Sequence, residues 1–121
     1  MGTATEIVDR YIAAWNEADD RRRQDLIAEV FTEDAQYVDP VVSSRGRKAI
    51  DGMIAAMQQR FAGLRFTRLG DVDAHNDRIR FRWALSPSSG ESVVEGTDFG
   101  MIASDGRLAG VSGFLDKVPP Q

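Results

Sequence analysis

Tyr11, Asp39 and Asp98 are oxygen-bearing side chains set in stretches that otherwise read as core. A phenol or carboxylate in such a place is costly unless something satisfies it. The three are far apart in the chain, and each enters from a different expected element. If the fold gathers them, they form a pocket with one candidate base and two candidate hydrogen-bond donors, which is the equipment of a proton-transfer site. A proton beside a carbonyl can be removed only if the enolate oxygen is stabilised as charge develops on it. A buried phenol and a protonated carboxyl suit that task in a low-dielectric cavity. Two carboxyls in one apolar pocket do not both ionise readily, so their protonation states separate. Asp39, at a strand end beside a loop, is expected to stay wet and charged. Asp98, mid-strand between Gly96 and Gly100, is expected to be desolvated and neutral. General acid–base action of this kind supplies roughly 10²–10⁴-fold.

Each residue also has a purely structural reading. Tyr11 can be a core tyrosine bonded to backbone, Asp39 a turn-forming residue before Pro40, and Asp98 the partner of a backbone amide or of Arg82. Trp15, one turn after Tyr11, either fills the core or walls a pocket. Together with Met57, Phe61 and Trp83 it is the candidate apolar lining for a substrate.

The elements that must position these groups are legible from period and punctuation. Ile7, Tyr11, Ala14, Trp15 and Ala18 recur at helical spacing over Glu6 to about Glu17, with Thr3 or Thr5 as N-cap. A second helix is expected over Arg21–Phe31, facing Leu26, Ile27, Val30 and Phe31 inward. Thr32-Glu33-Asp34 breaks that pattern, and Ala35–Asp39 reads as a short strand stopped by Pro40. Val41–Gly46 is a loop. A third helix covers Arg47–Phe61 with Ile50, Met53, Ile54, Met57 and Phe61 as its stripe. Its methionines read as core filler.

After Gly63 the period becomes two. Strands are expected over Leu64–Ala74, Arg78–Leu85, Ser92–Ile102 and Arg107–Val118. Turns are expected at His75-Asn76-Asp77, at Pro87–Gly90 and at Asp105-Gly106, and Pro119-Pro120 ends the ordered chain. Ile79, Phe81, Trp83 and Leu85 share one face of their strand, with Arg78, Arg80 and Arg82 on the other. Asp71 or Asp73 are candidate partners for those arginines. Helices first and a mostly antiparallel meander afterwards make an α+β domain, with a strongly twisted sheet curling into a half-open cone. Glycines at 96, 100, 110 and 113 weaken strand interiors, so they serve bending or leave space beside a ligand.

At 121 residues the chain suits one domain spanning 1–121. It can bury roughly two thirds of its unfolded surface without metal or disulfide staples. Fifteen basic against 19 acidic residues give a net charge of −4, which argues against a nucleic-acid partner. Arg21-Arg22-Arg23 is the one basic cluster and, among Asp19, Asp20 and Asp25, reads as a solvated helix face. The absence of cysteine removes thiol catalysis and zinc–thiolate sites and is compatible with a cytoplasmic setting. No stretch approaches the ~20 apolar residues of a membrane span. Met1–Glu6 lacks a signal-peptide run, and Gly2 lacks the Ser or Thr of a myristoylation signal. There is no phosphate loop, Gly-x-Ser-x-Gly or paired-histidine motif, and His75 has no metal-ligand spacing, so neither cofactor nor metal is expected.

Six segments, in order, carry a resemblance: Arg10–Asn16 (RYIAAWN), Val30–Ala35 (VFTEDA), Tyr37–Pro40 (YVDP), Gly46–Ile50 (GRKAI), Gly96–Phe99 (GTDF) and Asp105–Leu108 (DGRL). Over essentially its whole length the chain resembles the nuclear transport factor 2-like superfamily, of the SnoaL-like and ketosteroid-isomerase-like kind. The resemblance implies a cone-shaped, cystatin-like α+β fold with three N-terminal helices on a curved sheet. It places Tyr11 where isomerases carry an oxyanion-hole tyrosine, Asp39 where they carry the general base, and Asp98 where they carry the protonated oxyanion-hole acid. Alignment on Phe99 would put Thr97 there instead. It further implies a small hydrophobic carbonyl-containing ligand and a homodimer formed through the sheet.

The scaffold hosts many activities. The readings carried forward are an acid–base isomerase, a SnoaL-like polyketide cyclase, and a non-catalytic ligand-binding or dimeric assembly module. Epoxide hydrolysis would need an inward arginine, which the alternation of Arg80 and Arg82 argues against. With only Tyr11 and Tyr37 present, a tyrosine network behind the oxyanion hole is thin.

Overall fold

The computed structural model describes residues 3–119. The expectations placed on Met1, Gly2 and Pro120 lie outside those residues. Helix α1 spans Ala4–Asn16; Thr3 caps it by accepting from the Glu6 amide at 3.1 Å. Its buried stripe is Ile7, Val8, Tyr11, Ala14 and Trp15, whereas Ala18 lies beyond the helix and is exposed. Helix α2, Asp20–Val30, is capped by Asp19. Helix α3, Arg47–Arg60, buries Ile50, Met53 and Ile54.

Six strands follow or interleave: β1 (Phe31–Val38), β2 (Ser43–Arg45), β3 (Leu64–His75), β4 (Arg78–Pro87), β5 (Val94–Ile102) and β6 (Leu108–Lys117). They form one sheet in the order β2-β1-β6-β5-β4-β3. All neighbours are antiparallel except β1 and β6, which run parallel. The result is the α+β arrangement of three helices on a curled, mostly antiparallel sheet, with its core between them.

Several boundaries differ from the sequence expectation. Strand β1 starts at Phe31, directly after α2, with no break at Thr32–Asp34. Phe31 already pairs with Leu108, and the extra residues are taken up by a register shift before Gln36 pairs with Gly110. The expected loop Val41–Gly46 contains β2, which covers the outer edge of β1. His75 closes β3, so the turn is only Asn76-Asp77, with Asn76 at φ 51°.

Arg23 is a larger correction. Arg21 and Arg22 are exposed as a solvated face requires, but Arg23 is 2% exposed. It lies on the inward face of α2 with Ile27 and Val30. Its guanidinium donates to Asp51 at 2.6 Å, to Asp20 at 2.6 Å, to the Glu17 carbonyl and to Gln58. Gln58 in turn donates to the carbonyls of Trp15 and Glu17, so one buried cation ties the three helices together.

The faces of β4 divide as expected. Ile79, Phe81 and Leu85 are buried inside, while Arg78, Arg80 and Arg82 face outward. Arg80 pairs with Asp73 at 2.6 Å and Arg82 with Glu95 at 3.4 Å. The same outer face exposes Phe99 and Met101 of β5 and Phe114 of β6, with the two phenyl rings edge to face at 5.9 Å. Among the described residues, no helix is long and apolar enough to cross a membrane.

Candidate functional site

The concave side of the sheet encloses a cavity of about 270 Å3 between β1, β4–β6 and the helices α1 and α3. Tyr11, Asp39 and Asp98 all line it, and so do Trp15, Met57, Phe61 and Trp83. Among the described residues the rest of its wall is hydrocarbon, from residues such as Ile12, Val42 and Phe66, apart from Tyr37 and one cation, Arg60. A cavity of ~150 Å3 holds a benzene ring. This one therefore accommodates a body of about two rings, and a larger ligand would project between Val41, Phe114 and Val118, which are exposed.

Helix α1 delivers Tyr11 to the cavity floor, where it is 3% exposed and touches Phe31 and Phe81 edge to face. Its hydroxyl donates to Asp98 Oδ2 at 2.9 Å. Trp83, two residues along β4 from Phe81, donates from Nε1 to Asp98 Oδ1 at 3.0 Å. Asp98 is 2% exposed and points inward, while Thr97 points outward and donates to Asp116 at 2.7 Å. The alternation of β5 thus decides between the two residues. Among the described residues no cation touches Asp98. Burial pushes its carboxyl up to about 6, and Asp39 adds to the rise, against the pull of the Trp83 and Tyr11 hydrogen bonds. In this arrangement Asp98 is an acceptor for both donors, rather than a second donor standing beside Tyr11.

Asp39 follows the last residue of β1. Its Oδ1 accepts from the amides of Val41 and Val42 at 2.8 and 2.9 Å, and its Oδ2 accepts from the Tyr37 hydroxyl at 2.7 Å. It is therefore a turn-forming aspartate and a cavity-lining carboxylate at once. Tyr37 was not singled out as a site residue from sequence. Tyr37 and Asp39 are two apart in the strand expected over Ala35–Asp39, so period two places them on the same face, which was the available signal. Burial raises the Tyr37 hydroxyl far above its ordinary value, followed by the charges of Asp98 and Asp39.

Two glycines shape this floor. A Cβ on Gly113 would stand 3.0 Å from Asp98 Oδ1, 3.3 Å from Asp39 Cβ and 3.4 Å from the Tyr37 hydroxyl. Gly113 thus marks the point where the Tyr11–Asp98 and Tyr37–Asp39 pairs meet. A Cβ on Gly96 would lie 2.6 Å from Trp83 Cε2, so that residue gives the indole room to lie across β5. At both positions the glycine leaves space within the site, which is one of the two uses expected of it.

Among the described residues no cluster of His, Cys, Asp or Glu has the makings of a metal site. The arrangement can hold a small apolar molecule against a fixed carboxylate on one side. On the other side stands a phenol backed by a second acid that titrates near neutrality.

The model of the SnoaL-like domain matches residues 8–111 of the chain. A crystal structure from Agrobacterium tumefaciens, named as a candidate isomerase of the SnoaL-like family, is 40% identical, with a TM-score of 0.88 over 93% of this chain and 96% of its own. A protein from Sinorhizobium meliloti, named as a candidate polyketide cyclase, is 25% identical, with a TM-score of 0.70 over 89% and 93%. TsrD from Streptomyces laurentii, at 22% identity and a TM-score of 0.71 over 93% and 87%, shares the fold. No curated protein matches the sequence.

Proposed function

The chain belongs to the SnoaL-like domain family, and on that premise we propose that it is an acid–base enzyme that shifts a proton beside a carbonyl. The substrate is a compact, mostly apolar ketone of about two rings. The observation that supports this reading most is the pairing of each cavity acid with a tyrosine, the two pairs meeting at Gly113. Asp39, already held by two amides and a phenol, is pre-aimed as the base and takes the proton from the carbon next to the carbonyl. The developing enolate oxygen lies against Tyr11. When Asp98 carries a proton, its Oδ2 donates to the Tyr11 oxygen, and Tyr11 turns its own proton to the substrate. Returning the proton from Asp39 to a different carbon completes an isomerisation with no net change in protons.

A SnoaL-like cyclase would use the same first step, with the carbanion attacking a second carbonyl to form a carbon–carbon bond. The name of the relative that is 40% identical favours the isomerase.

Exchange of the α-protons of 2-tetralone in D2O, followed by NMR, tests the chemistry without knowledge of the natural substrate. The protein should accelerate exchange, and Asp39→Asn should remove about 10²–10⁴-fold of that acceleration. Equal rates for wild type and variant would remove Asp39 as the base, and no acceleration over a panel of bicyclic ketones would end the proposal.

The outer face of the sheet supports a homodimer as its quaternary form. Phe99, Met101 and Phe114 are each about half exposed and adjoin across β5 and β6, opposite small residues Ser112 and Gly110. A second copy meeting this face would cover the aromatic pair, with the Arg80–Asp73 pair at the border. Sedimentation should give a dimer for the wild type and a monomer for Phe99→Lys; a monomeric wild type at tens of micromolar refutes the pairing.

A further inference from the structure

The polar groups of the cavity do not balance. Tyr11 and Trp83 both spend their protons on Asp98. Tyr37 and the amides of Val41 and Val42 spend theirs on Asp39. One buried donor is left over. The indole nitrogen of Trp15 is buried without a hydrogen-bond partner, and it is the only such side-chain atom among the described residues. Trp15 is 7% exposed and lies against Tyr11, Tyr37 and Phe66 at ring separations of 6.2, 5.5 and 5.2 Å. Of the groups acting on the Tyr11 hydroxyl, burial and then Asp98 raise its proton affinity, and Trp15 alone lowers it, yet the two make no hydrogen bond.

A buried donor without an acceptor is costly and rare in a well-packed interior. Trp15 lines the cavity. Its missing acceptor therefore belongs to whatever fills that cavity.

We propose that Trp15 Nε1 is the donor that first captures the ligand, by hydrogen bonding to its carbonyl or enolate oxygen beside the Tyr11 hydroxyl. This deepens the reading above and rests on it. Tyr11 can serve the same oxygen only after its bond to Asp98 reverses, whereas Trp15 Nε1 has no bond to give up and needs only the side-chain shift that opens the sealed nitrogen to the cavity. The ligand must then carry an acceptor oxygen directly on its apolar body, within reach of the floor of the cavity.

The probes are 2-naphthol, which has two rings and one oxygen, and naphthalene, which is the same body without it. Wild type should bind naphthol more tightly. Site-specific replacement of Trp15 by 3-benzothienylalanine keeps the ring shape and puts sulfur in place of N–H. It should weaken naphthol about tenfold and leave naphthalene unchanged. Trp15→Phe provides the second variant, because the ratio of the two affinities cancels lost packing. An unchanged naphthol-to-naphthalene ratio in both variants overturns the role of Trp15. If Tyr11→Phe collapses that ratio while the Trp15 variants do not, Trp15 is refuted and the acid–base reading stands. If wild type shows no preference for naphthol, both fall.

Discussion

Two charged side chains in this molecule are equally inaccessible, Arg23 and Asp98, each 2% exposed. They are satisfied in opposite ways. Arg23 meets two carboxylates, a carbonyl and an amide oxygen. Burial alone would weaken its hold on the proton, but Asp51 and Asp20 outweigh that and keep it charged. Among the described residues Asp98 meets only neutral donors, a phenol and an indole, and no cation. Its carboxyl is accordingly raised into the range where a protein must decide whether it is ionised. The first arrangement is a fastening between helices; the second leaves a group whose charge can change during a reaction. Arg23 makes four hydrogen bonds and Asp98 accepts two, but it is the charge of the partners that gives the two groups different roles.

That contrast can be broken most directly at Arg23. Replacing it by leucine leaves Asp51 partly buried and uncompensated and should cost about 3–5 kcal/mol in urea unfolding. A loss below about 1 kcal/mol would mean that the cation fastens nothing. The Asp98→Asn variant should behave in the other direction. In the native protein Asp98 holds a proton up to about pH 6, while in the unfolded chain it releases it near 3.8. Wild-type stability should therefore fall as pH rises through that window and level off above it, a difference of about 3 kcal/mol. Asp98→Asn should lack this slope and match or exceed wild type at pH 7. An unaltered pH profile in the variant would show that Asp98 is not strained by its surroundings. The smallest effect is expected at Asp39. Asparagine keeps the carbonyl oxygen that caps Val41 and Val42, and the Tyr37 hydroxyl can rotate to accept from the new amide. Its melting temperature should stay within a few degrees of wild type, as a change of about 1 kcal/mol or less gives, while α-proton exchange collapses. A large loss of stability would assign Asp39 to the turn alone.

Period and punctuation carried most of the architecture. The arginine and hydrophobic faces of β4 and the stripe of α3 follow from alternation and helical spacing, whereas the meeting of Tyr11, Asp39 and Asp98 at one cavity was implied by the family resemblance. What stayed hidden depends on partners distant in sequence. Strand β1 begins at Phe31 because β6 reaches it in parallel, and nothing between Phe31 and Asp34 announces that pairing. Arg23 looks like its neighbours Arg21 and Arg22, and its burial is tolerable because Asp51 on α3 meets it together with Asp20. Asp98 could be picked out, but not that both nearby donors aim at it, because the curl of the sheet sets where Trp83 and Tyr11 end. Gly113 carries no side chain, so its importance appears only when a methyl group is imagined on it.

The parallel join of β1 to β6 also has a consequence for biogenesis. As the ribosome extrudes this polypeptide, the helices and the first eight-residue strand emerge long before Leu108–Lys117 exist to dock against them. Contacts so distant along the chain form late and slowly. Until that strand is free, Asp39 has no Gly113 to face, so the cavity is completed only when β6 docks, and an earlier stall leaves a nascent chain with half of it.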